Sequence, residues 1–236
     1  MTTNIKVLIC LAGLACSSAR SSNQVTLASS GPISGDATRL PTGVHLDPAG
    51  VVHPVGPMPL NVVLAPGGNR VVLMLNGWAK NGIEVVDWHT GEVTQSIELP
   101  AAFLGLAFSP DGQTLAASGG YTDQVYRFRW TGDSAVLTDS IRLASADARR
   151  KGSRYPAHLA FSPDGKRLYV VENVVDSLVV IDVASGTIVQ RRATGHYPYG
   201  IAVHADGRVF VSAWGGHDVA MYSPSTTGLS AATDFR

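Results

Sequence analysis

The stretch from Tyr155 to Gly195 reads YPAHLAFSPDGKRLYVVENVVDSLVVIDVASGTIVQRRATG, and its punctuation decides the fold. Four short runs rich in Val, Ile, Leu, Phe and Tyr, at 158–162, 167–173, 177–183 and 187–193, are parted by turn residues. Each run is too short for a helix, so the stretch predicts four consecutive antiparallel strands. The first turn is Ser162-Pro163-Asp164-Gly165. Proline presets φ, aspartate bonds the backbone ahead of it, and glycine takes the left-handed position that closes the hairpin.

Working outward, the turn returns at Pro66-Gly67-Gly68, at Pro110-Asp111-Gly112 and, with Ala205 in place of proline, at Asp206-Gly207. Gly68, Gly112, Gly165 and Gly207 stand 44, 53 and 42 residues apart, the 53 holding a longer loop. The columns around the turns stay in phase. First strands open at Pro59, Phe103, Pro156 and Pro198, and third strands end at Asp87 and Asp182. In the second repeat Tyr126, Phe128 and Trp130 alternate with Val125, Arg127 and Arg129, as one packed and one wet face require. A four-stranded unit at this period predicts an all-β fold, a β-propeller of four-stranded antiparallel blades. The repeats fall at about 55–99, 100–154, 155–195 and 196–236.

The run Leu168 to Asn173, followed by Ser177 to Asp182, resembles the YVTN repeat of bacterial propellers related to the lactonase-like propellers. More narrowly, Leu40-Pro41-Thr42-Gly43, Asp47-Pro48-Ala49-Gly50, Asn76-Gly77-Trp78 and Ala107 to Gly112 are similar to the propeller that precedes an alkaline-phosphatase-like phosphoesterase in bifunctional bacterial proteins. The resemblance covers about residues 40–224 and implies seven blades, of which four are present. An open arc would leave two blade faces in water, forgoing burial on the order of 10 kcal/mol. That rivals a whole domain's stability, about 5–15 kcal/mol. The expectation is therefore the N-terminal part of a longer chain, with association of two arcs as the other escape.

The 236 residues are 45% hydrophobic with zero formal net charge, so nothing in the overall balance attracts nucleic acid or an anionic membrane. Residues 1–19 read as a signal peptide: Met1 to Lys6 is a positive start, Val7 to Ala15 an apolar stretch, and small residues follow. Nine apolar residues are too few for a spanning helix, which needs about twenty. The expected location is the periplasm or the exterior. Two readings of the processing site stand, lipidation of Cys16 as in bacterial lipoproteins or ordinary cleavage near Ala19. The two cysteines, Cys10 and Cys16, both lie there, which excludes thiolate chemistry from the folded part. Residues 20–38 read as a linker, and the runs at 44–46 and 51–55 as an outer hairpin around Asp47-Pro48-Ala49-Gly50, or as an outer strand that in a closed ring completes the last blade.

No G-x-S-x-G elbow, H-x-H pair, H-E-x-x-H motif, C-x-x-C-H haem site or phosphate-binding glycine loop occurs, so no metal and no cofactor is expected. Asp111, Asp164 and Asp206 belong to turns, and Asp123 and Asp176 precede third strands. One pair departs from the repeat: His158 opens a first strand and Glu172 ends the second, where other blades carry uncharged residues. The hairpin between them is expected to set them side by side, either as an acid–base pair or as a loop-ordering hydrogen bond. Asn76, Trp78, Tyr121, Trp214 and His217 follow second strands and are expected at one end of the ring, as a ligand-binding face or as packing between blades. Arg149, Arg150, Lys151 and Arg154 form a basic run suited to an anion or an acidic partner, or simply solvated. These readings favour a binding or scaffolding module, its protein or small-molecule partner unspecified, that presents substrate to a phosphoesterase. The rival is a lactonase-like hydrolase using His158 and Glu172.

Overall fold

A computed structural model describes residues 50–145, 152–226 and 228–230, with backbone alone at 38–39, 45–46 and 233–235. Four four-stranded antiparallel sheets follow one another, each with its strands in chain order. Blade one comprises Pro59–Leu64, Arg70–Asn76, Asn81–Asp87 and Val93–Glu98. Blade two comprises Leu106–Phe108, Thr114–Ser118, Gln124–Trp130 and Ala135–Arg142. Blade three comprises Pro156–Phe161, Arg167–Glu172, Ser177–Asp182 and Thr187–Ala193, within two residues of the runs read from the sequence. Blade four comprises Pro198–Val203, Val209–Ala213, Val219–Tyr222 and Thr233–Phe235. First strands of neighbouring blades adjoin, which is a propeller arrangement.

The period-two alternation of each strand supplies two apolar faces, and each seam between blades consumes one from either side. Between blades one and two, Met74, Ile83 and Val85 meet Leu115, Tyr126, Phe128 and Trp130. Blades two and three join through Val125, Ile141 and Leu143 against Leu168, Val170, Val179 and Ile181. Blades three and four join through Tyr169, Val171, Leu178 and Val180 against Val209, Val211 and Tyr222. The turn at 162–165 closes as its residues dictate: the Gly165 N–H donates to the Ser162 carbonyl at 2.9 Å, with Gly165 at φ 71°. The Ser162 hydroxyl donates to Asp164 and, with the Lys166 amide, holds that carboxyl below the usual range.

The expected hairpin at 44–55 is not formed. His45–Leu46 pairs with Thr38–Arg39, and residues 51–55 join no strand. Instead the 50–57 segment crosses blade one's outer side, where the Gly56 N–H donates to the Glu84 carboxylate at 2.8 Å and His53 packs on Gly91. Pro54 withholds one of the donors a paired strand would need. The leader, Cys16 and the linker up to residue 37 lie outside the described residues.

Candidate functional site

The structure does not bring His158 and Glu172 together. Register across the first two strands of blade three pairs Pro156, not His158, with Glu172, and shifts between Pro156 and Leu159. Such a bulge adds a residue on one strand and re-aims its side chain. His158 turns toward blade four, where its Nδ1 accepts the Ile201 N–H at 3.1 Å. Glu172 shares the register parity of Leu168 and Val170, which pack toward blade two.

The two groups therefore have separate electrostatic settings. Glu172 is fully buried and receives Arg191 Nε at 3.2 Å and Nη2 at 3.3 Å, with Arg154 Nη1 at 3.9 Å. Arg191 also donates to the Leu143 carbonyl at 2.7 Å, so this carboxylate anchors blade three's outer strand to blade two. Burial lowers the His158 pKa and favours the neutral ring. With Nδ1 accepting, the proton sits on Nε2, so the ring offers a donor and no second acceptor.

The aromatic residues after the second strands do share one end of the arc, because every second-to-third-strand turn lies there. Trp78 is fully exposed, Trp214 is 81% exposed and Tyr121 56%, and His217 is also exposed, while Asn76 is partly covered. Packing of the two tryptophans between blades is thereby replaced by display to solvent. Sequence reasoning missed the companions at this end. Tyr155 and Tyr197 lead into first strands at φ 54° and 52°, a region rarely adopted by residues with a side chain. Phe103 stands edge-on to Tyr155 at 5.1 Å and to Tyr199 at 6.2 Å, linking three blades. The X-Pro pairs at 58–59, 155–156 and 197–198 mark the position in the sequence, but proline steers the residue before it to extended φ, so the left-handed conformation was not legible there.

Two aspartates hold those tyrosines. Asp123, itself at φ 55°, accepts the Ser153, Arg154 and Tyr155 N–H groups at 2.9, 2.8 and 2.9 Å and the Ser153 hydroxyl at 3.0 Å. Asp176, at φ 51°, accepts the Tyr197 N–H at 2.8 Å and meets His196 Nδ1 at 2.8 Å. Arg154 belongs to this frame through its backbone and to Glu172 through its side chain. Arg149, Arg150 and Lys151 lie outside the described residues.

At the opposite end, open grooves of about 680 and 360 Å³ run between the P-D-G turns and include Asp164, Lys166 and Arg167. Asp164 is engaged by its own turn and Arg167 by Asp182. Among the described residues no group of three or more His, Cys, Asp or Glu side chains is placed to hold a metal ion, and no helix is long and apolar enough to cross a membrane.

Residues 140–232, essentially blades three and four, match the sequence profile of the SMP-30/Gluconolactonase/LRE-like region. No curated protein matches the chain. Among solved structures, the periplasmic gluconolactonase of Pseudomonas aeruginosa is similar at 23% identity and TM-score 0.60, over 73% of this chain and 52% of that one. Virginiamycin B lyase from Staphylococcus aureus is similar at 20% and 0.58, over 74% and 54%. Kuenenia stuttgartiensis hydrazine synthase is similar at 18% and 0.62, over 78% and 51%. The chain thus spans about half the length of each of these three. These proteins are named for different chemistries on one fold, so function has to be argued from the site.

Proposed function

We propose that this chain is an exported, ligand-binding propeller arc whose aromatic end captures a polar ring such as a sugar or aldonolactone. The observation that carries the reading is the display of Trp78, Tyr121 and Trp214 at one end, beside Tyr155 and Tyr197 locked by Asp123 and Asp176. Flat apolar faces on rigid loops, with a few polar groups among them, suit a ligand that is half hydrocarbon and half hydroxyl. The leader-like residues 1–19 support export, and a phosphoesterase domain supplied by a longer protein would make the arc its substrate-presenting part.

The second reading is lactone hydrolysis, favoured by the gluconolactonase-like match over residues 140–232. In it the His158 Nε2–H polarises the lactone carbonyl, a water adds to that carbon as the ring C–O bond breaks, and the water's protons pass to the ring oxygen and to solvent. Glu172, saturated by arginines, takes no part. One experiment separates the two: tryptophan fluorescence and a proton-release assay on the same titration with glucono-δ-lactone and with glucose. Quenching without proton release supports binding, and proton release above the uncatalysed rate supports hydrolysis. Neither response at millimolar ligand removes both.

A further inference from the structure

Asp123 and Asp176 hold equivalent tyrosines, but their second oxygens are engaged differently. Asp123 Oδ1 takes the Arg154 and Tyr155 N–H groups, and its Oδ2 takes the Ser153 N–H and hydroxyl. Asp176 Oδ1 takes the Tyr197 N–H, and its Oδ2 meets His196 Nδ1 at 2.8 Å. One seam is closed by backbone donors and a hydroxyl, and the next by an imidazole that the tyrosine lock itself does not require. Asp123 is buried, whereas the His196 and Asp176 side chains are 58% and 41% exposed, so the second pair faces solvent.

The imidazole is fixed on three sides. Asp176 bonds its Nδ1, the Tyr197 ring lies beside it with centroids 4.0 Å apart, and Gly215 packs against both rings. A Cβ on Gly215 would stand 2.9 Å from His196 Cδ2 and 2.8 Å from Tyr197 Cδ2, so a side chain there would displace one of them. The His196 and Tyr197 carbonyls accept the Gly215 and Trp214 N–H groups at 2.9 and 2.8 Å. His196 therefore shares one short frame with the exposed Trp214 of the aromatic end. Burial disfavours the Asp176 charge, but the His196 and Tyr197 bonds outweigh it and hold this carboxyl below 3.8. An ionised Asp176 can only accept, so Nδ1 carries the proton and the Nε2 lone pair is left for a ligand or water.

Lactone hydrolysis needs a base, and three titratable groups cannot serve. His158 presents a donor, Glu172 is enclosed by arginines, and Asp123 is buried under its four donors. We infer that His196 is the general base of the aromatic end, with Asp176 as its positioning residue, acting on a lactone of a hydroxylated ring laid against Trp214. Nε2 takes one proton from a water as the water oxygen bonds to the carbonyl carbon. The ring C–O bond then breaks, and Nε2 returns that proton to the departing ring oxygen. The water's second proton leaves when the new carboxylic acid ionises, and His196 ends neutral. The inference rests on the hydrolytic reading of the aromatic end and does not depend on which group polarises the carbonyl.

The test is turnover of glucono-δ-lactone by the full chain, read as proton release between about pH 5 and 8, where an imidazole titrates. Wild type, His196→Gln, His196→Ala and Asp176→Asn are compared, with circular dichroism on each. His196→Gln is expected to lower kcat about a hundredfold with KM nearly unchanged, and to abolish the acid limb of the pH–rate profile. Free imidazole should restore part of the His196→Ala rate, above the rate of imidazole without protein, which a merely structural role would not produce. Asp176→Asn keeps an acceptor for the Tyr197 N–H but loses the charge that fixes the tautomer, so kcat should fall about tenfold or more. A wild type without turnover removes the hydrolytic reading and this base with it. Wild-type turnover that persists unchanged in His196→Gln, or a His196→Ala protein that imidazole does not rescue, overturns the base and leaves the hydrolytic reading standing.

Discussion

The Asp176 carboxylate accepts the Tyr197 backbone N–H at 2.8 Å, across the seam from blade three to blade four. Because Tyr197 sits at φ 52° and Asp176 at φ 51°, one hydrogen bond ties two residues in an uncommon conformation. Left-handed residues with side chains cost on the order of 1 kcal/mol or more and persist where their surroundings fix them. The seam therefore does two things at once. It joins successive blades, and it holds the loops that carry the aromatic end.

Asp123 makes the same junction one blade earlier with four acceptor contacts, and it is buried, unlike the half-exposed Asp176. Replacing it by alanine removes all four and leaves alanine in a left-handed conformation. We expect Asp123→Ala to lower stability by about 3 kcal/mol. Asp123→Asn, which keeps one acceptor oxygen and tolerates the conformation, should lose about half as much. Urea denaturation of the three proteins measures both, and equal losses would show that the acceptor geometry is not what matters.

Glu172 and Arg191 give an asymmetric prediction. Arg191 keeps about a third of its side chain in water, whereas Glu172 has none. Removing the arginine strands a buried carboxylate with only Arg154 at 3.9 Å, while neutralising the carboxylate leaves an arginine that can rehydrate. Arg191→Ala should therefore cost more than Glu172→Gln, about 4 against about 2 kcal/mol. Chemical denaturation decides the order, and the reverse order would mean that the pair is not the anchor between blades two and three.

Strand composition, turn chemistry and the 44-residue period were legible in the sequence because they are local: Ser162 to Gly165 needs no distant partner to close. Blade-to-blade contacts were legible only as alternation. What escaped was the re-aiming of first strands. Register shifts after Pro59, Pro156 and Pro198 are set by packing against the next blade, and one of them turns His158 away from Glu172. The aspartates before third strands read as ordinary turn residues, since their partners lie 21 to 32 positions away. The exposure of Trp78 and Trp214 was equally invisible, because short loops with glycine either tuck in or project.

Trp78 and Trp214 touch so little of the protein that their loss should be structurally silent. Trp78→Ala and Trp214→Ala are expected to change stability by less than about 0.5 kcal/mol each. If the aromatic end binds sugar-like rings, each change should weaken affinity roughly tenfold, the scale of one stacked aromatic contact. Isothermal titration with the ligand identified by fluorescence checks this. Unchanged affinity in the double variant would place binding elsewhere.

His158 makes the chain's stability depend on pH in a stated direction. In the folded protein, burial holds the imidazole pKa below the ordinary 6.5, because protonation would place a charge in the seam and destroy the acceptor that takes the Ile201 N–H. The unfolded chain binds the proton more readily, so below pH 6.5 it gains protons that the folded chain refuses. Stability from this residue is thus fully present above pH 6.5 and is lost as pH falls, by up to about 1.4 kcal/mol per pH unit for one proton. Asp87, Asp111, Asp164 and Asp182 are held below 3.8, so the stability they add is fully present above that pH and is lost only in more acid solution. His158→Asn preserves an acceptor for Ile201 but cannot titrate. Its unfolding free energy should therefore be flatter than that of the wild type between pH 7.5 and 5, the two diverging progressively below pH 6.5. Parallel curves over that interval would mean that the ring accommodates its second proton in place, as a partner to a carboxylate or to water.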